Sequence, residues 1–70
     1  MTTRRPDIAR LEREVARLTA KSAAASEARY RLPAGSPRAR VTTANARWMR
    51  AAEARDRAVA ALAAAREVAS

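Results

Sequence analysis

Cysteine, histidine and phenylalanine are missing from this chain of 70 residues, and glycine, tryptophan and tyrosine occur once each. No disulfide, thiolate nucleophile or ordinary zinc-ligand set can be assembled from what remains, and the commonest general base is gone, so no metal, cofactor or enzymatic activity is expected. Nor is there a run of about 18 apolar residues. The opening "MTTRRPDIARLE" turns charged before any hydrophobic region, so neither a membrane span nor a secretory signal is expected and the cytoplasm is the default location. One glycine does not make a phosphate-cradling loop, and no nucleophile elbow is present.

Large apolar side chains are scarce as well. The nominal apolar fraction is 49%, but 21 of those residues are alanine. The length allows one small domain, and a lone chain of this size buries little surface.

Arginine is what the chain has in excess, 14 against a single lysine, within a net charge of +8. Such an imbalance bears on anionic partners rather than on fold. Its distribution is uneven. Residues 29–50 read "RYRLPAGSPRARVTTANARWMR", which gathers six arginines, the one Tyr, the one Trp, the one Gly and two of the three prolines without a carboxylate.

Ile8, Leu11, Val15 and Leu18 recur at steps of three and four, and the same frame continues through Ser22, Ala25, Arg29 and Leu32. That is a coiled-coil seam, strong in its first half and weak in its second. Pro6 suits a first helical turn, and Asp7, Glu12 and Glu14 bring negative charge toward the positive end of the helix dipole. The pattern predicts a flexible basic N-terminus over residues 1–5 and helix 1 over 6–31. Pro33, Gly35 and Pro37 then end it, because proline inside a helix costs about 3 kcal/mol. Two starts are open for the second helix. Ser36 and Pro37 make a good cap and first position, whereas Val41, Thr42 and Thr43 form a poor first turn in which either Thr can cap. The later start gives a turn over 32–41 and helix 2 over 42–69.

On helix 2 a wheel of 100° per residue gathers Val41, Trp48, Ala52, Val59 and Leu62 with Arg55 and Arg66. The expected fold is all-α, an antiparallel two-helix hairpin that sets Trp48 against Ala25, Val59 against Val15 and Leu62 against Leu11. Its oligomer and core seam is then Ile8, Leu11, Val15, Leu18, Trp48, Val59 and Leu62. Arg55 and Arg66 would bury their stems and reach Glu14 and Asp7. Two helices do not enclose a core, so a homodimer forming a four-helix bundle is expected, with Ala9, Ala16, Ala20 and Ala23 as a close-approach flank.

Folding back at Gly35 brings Arg29, Arg31, Arg38, Arg40, Arg47 and Arg50 to one tip, and Arg57 extends the row along helix 2. Helical spacing also offers local partners, Arg10 with Glu14, Glu53 with Arg57 and Glu27 with Arg31, as on an ordinary solvated face. At the tip no acid lies between residues 28 and 52. Arginine's planar fork grips phosphate bidentately, and a helix start adds free N–H groups. The expected function is non-enzymatic nucleic-acid binding, DNA before RNA, with Asn45 and Arg47 placed to reach base edges and Tyr30 to stack on a base or close the turn against Leu32. The alternative is a coiled-coil adaptor or assembly subunit that docks the same basic tip on an acidic protein. Membrane-surface binding ranks last, since the outer faces lack apolar anchors apart from Met49.

Overall fold

In the computed structural model, which describes residues 6–70, α1 runs Ile8–Tyr30 and α2 runs Arg38–Ala69, and the two pack against each other as a hairpin 59 Å long. The basic N-terminus read at residues 1–5 lies outside the described residues. Asp7 is the N-cap of α1: its Oδ1 accepts from the Arg10 N–H at 3.0 Å, satisfying a donor that has no helical partner. Helix 1 therefore starts two residues later than the proline alone suggests. Its end is closed by the Arg31 N–H on the Glu27 carbonyl at 2.9 Å.

The turn is shorter than the expected 32–41. Pro33 to Ser36 closes a β-turn, with the Ser36 N–H on the Pro33 carbonyl at 3.1 Å, and Gly35 takes φ +84° at the third position, where a type II turn needs a residue without a Cβ. Ser36 does not cap α2. Its hydroxyl donates to the Pro33 carbonyl at 2.6 Å, and Pro37 stands at the cap position with no side-chain acceptor. The later start at residue 42 is corrected for a related reason. Thr43 donates its hydroxyl to the Ala39 carbonyl at 2.9 Å, a bond made inside a helix already under way, so the β-branched run is absorbed rather than used as a cap.

The α1 seam follows its sequence frame to the end. Leu18 and Ser22 are buried, and Ile8, Leu11, Val15, Ala25, Arg29 and Leu32 are half-buried. The α2 seam does not follow the wheel. The inward positions are Ala44, Ala51, Ala58 and Ala65, spaced by heptads and alternating with Trp48, Arg55 and Leu62. Val59 is 47% exposed and Val41 37%, so both leave the core expected for them. Two supercoiled helices touch along a line that repeats every 3.5 residues, and alanine on that line lets the backbones approach where a β-branched side chain would hold them apart.

Register moves with the seam. Arg29 stacks on Trp48 and Arg55 reaches Ser22, so Trp48 faces Arg29 instead of Ala25, a shift of about one helical turn. Carried down both helices, this register sets Leu18 across from Ala58, Val15 from Leu62 and Leu11 from Ala65, in place of the expected Val59–Val15 and Leu62–Leu11. At the tip Leu32, half-buried just past the end of α1, shares a concavity with Ala44. Among the described residues no helix is long and apolar enough to cross a membrane.

Candidate nucleic-acid interface

The seam divides the hairpin into two flanks of different charge. On one flank α1 presents Arg10, Arg17 and Lys21, and α2 presents Arg40, Arg47, Arg50 and Arg57. Glu14 lies among these cations, and it is already committed. Arg17 donates to it through Nη2 at 2.6 Å and Nε at 3.1 Å. That bidentate bond holds the Glu14 carboxyl below its ordinary value and the Arg17 guanidinium above its own. Arg10 is thereby left without the Glu14 partner the helix spacing suggested.

Near the tip this flank is a groove. Ala24, Ala25, Ala28 and Leu32 of α1 and its C-terminal extension face Ala39, Arg40, Thr43, Ala44 and Arg47 across a concavity of about 710 Å³. A second concavity adjoins it through Ala25 and Arg47 and adds Lys21 and Arg50 to the rim and Leu18, Ala51 and Ala54 to the floor. The result is a continuous alanine-lined trough edged by four cations. Among the described residues none of these four is within ion-pair distance of a carboxylate, since the pairs present are Glu14–Arg17, Glu27–Arg31, Arg55–Asp56 and Glu12–Arg66. The N-terminus of α2 adds to the positive field, because its first turn holds no acid.

Not every residue expected at the site reaches it. Arg40, Arg47 and Arg50 line the trough, and Arg57 prolongs their row, so the four span about 26 Å of helix. Arg57 is not tied to Glu53, which lies on the outer side of α2. Arg31 is exposed at the tip, though Glu27 stands 3.8 Å from it. Arg29 is a packing residue. Its guanidinium lies 4.4 Å from the centre of the Trp48 ring and 4.9 Å from that of Tyr30, and its Nη2 donates to the Tyr30 hydroxyl at 3.2 Å. Trp48 is accordingly half-buried under an arginine rather than sunk against Ala25. Tyr30 is 77% exposed, but Arg29 covers one face of its ring. Arg38 and the half-buried Asn45 project from the other flank of α2, so neither joins the row that contains Arg47.

On that other flank two arginines find partners. Arg66 reaches Glu12 at 3.9 Å across the helices, in place of the Asp7 contact expected. Arg55 crosses the seam to Ser22 at 3.4 Å and turns back to Asp56 at 3.1 Å, not to Glu14. Both changes follow from the one-turn shift in register. Lys21, which is not part of the expected tip, joins the site from α1 by sharing the second concavity with Arg47 and Arg50.

Among the described residues no cluster of acids suited to a metal ion occurs. No family model matches the chain, and no curated protein or solved structure matches it either.

Proposed function

We propose that this protein binds nucleic acid through the basic flank of the hairpin, with Lys21, Arg40, Arg47, Arg50 and Arg57 holding backbone phosphates. The supporting observation is that four of these cations edge one trough without a carboxylate to neutralise them. Like charges held together on one surface repel, and a polyanion relieves that repulsion while releasing its own counterions. The contacts are to phosphate, so affinity is broad in sequence and steep in salt. Asn45 on the opposite flank takes no part, which removes the side chain best suited to reading adenine. Duplex DNA is the first ligand to test, because a straight row about 26 Å long matches several phosphate spacings along one strand.

The assembly is a homodimer. Among the described residues no side chain is completely buried, and Met49 and Val59 are exposed on the flank away from the trough. A second copy packed there completes a four-helix bundle and leaves both basic flanks facing outward. Light scattering is expected to give twice the chain mass.

Binding to duplex DNA and duplex RNA, titrated in salt, tests the function. If about six phosphates are neutralised, log affinity against log salt falls with a slope near −5 on DNA. Arg40→Ala, Arg47→Ala and Arg50→Ala together should flatten that slope by about three while helicity is kept. A slope near zero for the wild type, or no binding at low salt, overturns the reading.

A further inference from the structure

The trough has a feature that phosphate binding does not use, namely its floor. Ala24, Ala25, Ala28 and Leu32 on one side and Ala39, Ala44, Ala51 and Ala54 on the other are methyl surface, and a nucleic-acid backbone has nothing apolar to lay on them. The groove runs along the helix axes from the level of Ala54 to that of Ala39, about 22 Å, or four turns of a helix. We infer that it takes an acidic amphipathic α-helix from a protein partner, seated as a third helix between α1 and α2.

Three properties select this occupant. The alanine floor lets a third backbone come close, as small residues do wherever helices pack tightly. Rim and floor also match an amphipathic helix: Arg40 and Arg47 are one heptad apart on α2, and Lys21 stands farther along the groove on the α1 side, so carboxylates flanking an apolar stripe would meet the cations while the stripe covers the methyls. Finally, a two-helix seam with no fully buried side chain gains most from being covered on its open side. Because the rim is the same set of cations assigned to phosphate above, the guest helix and nucleic acid exclude each other. That competition rests on the nucleic-acid reading; the docking itself does not.

The test uses the whole chain and two synthetic peptides of 18 residues. One carries Leu at heptad core positions and Glu beside them, and the other has the same composition in an aperiodic order. The periodic peptide is expected to become helical on binding, to shift the backbone amides of Ala25, Ala28 and Ala44 in heteronuclear NMR spectra, and to bind at least tenfold tighter than its aperiodic twin. Ala24→Arg with Ala28→Arg fills the exposed floor but adds positive charge. This variant, with its melting curve checked against wild type, should lose tenfold or more in peptide affinity while duplex DNA binds as well or better. Equal affinity for the two peptides shows charge attraction alone and overturns the proposal. So does binding of neither peptide, or a shift pattern centred on Thr19 and Val59 of the other flank. If DNA does not bind but the periodic peptide does, the nucleic-acid reading falls and the docking stands. Displacement of a labelled duplex by the periodic peptide supports the competition, and simultaneous binding of both refutes it.

Discussion

The two halves of the hairpin share one seam and use it differently. Below Leu18 the register sets Leu11 across from Ala65 and Val15 from Leu62, apolar layers whose pairing differs from the one the sequence suggested. Above Leu18 the layers are Ser22 with Arg55, Ala25 with Ala51 and Arg29 with Trp48. The lower half holds most of the hydrophobic burial, Leu18, Leu62 and Ala65 against Ala51 in the upper half. The upper half has exchanged burial for charge. Ser22 is only 2% exposed, yet it answers an arginine, and Trp48 is covered by a guanidinium instead of an aliphatic chain. Stability and the candidate site are thus separated along a rod: a tip crowded with unneutralised arginines is held in place by leucines about 20 Å away along the helix.

The sharpest way to break this division is to remove the leucines. Leu18→Ala or Leu62→Ala should cost about 2–3 kcal/mol in urea unfolding, the low end for such changes because a site this near the surface can collapse. Much of a small domain's stability is lost with it. Arg47→Ala is expected to do the reverse: the urea midpoint stays within error, while affinity for duplex DNA at 0.1 M salt drops about tenfold and the salt slope falls by about one. Equal damage by Arg47→Ala to folding and binding would erase the distinction between the halves. Arg29→Ala tests the boundary between them. If the arginine is a packing residue, the variant loses about 0.5–1 kcal/mol from the Trp48 stack, seen in the melting temperature and in Trp48 fluorescence, with a salt slope like wild type. A slope lowered as much as by Arg47→Ala would return Arg29 to the phosphate row.

The smallest effect concerns acid. Arg17 lowers the pKa of Glu14 in the folded protein. A lowered carboxylate contributes stability above its unfolded value, near 4.5, and loses it as pH falls through the folded value. Stability should therefore slip slightly below that pH, and Glu14→Gln should remove that part of the acid dependence. The pair is exposed, so the difference is small beside the leucine variants. A Glu14→Gln protein with the acid profile of wild type would deny the pair any role in the fold.

How much of this was legible varies by residue. The hairpin follows from Pro33, Gly35 and Pro37, and the α1 seam from its spacing alone, even where that spacing lands on Ser22 and Arg29. On α2 the larger side chains misled. Val59 and Val41 look like core on a wheel, yet the contact line passes through alanines, whose burial leaves no mark in hydrophobicity because alanine is equally common outside. The candidate site was found in part for the same reason. Arg47, Arg50 and Arg57 were read as one row from α2 alone and Arg40 as part of the tip, while Arg29 needed the sight of Trp48 beneath it.

Local rules therefore decided where the chain bends, which stretches are helical and that positive charge gathers at the bend, since each depends on neighbours within a turn or two of the backbone. Which arginines stand free and which are spent on packing was decided only when the helices met. A shift of one turn between them changes every cross-helix partner while leaving each helix as it was.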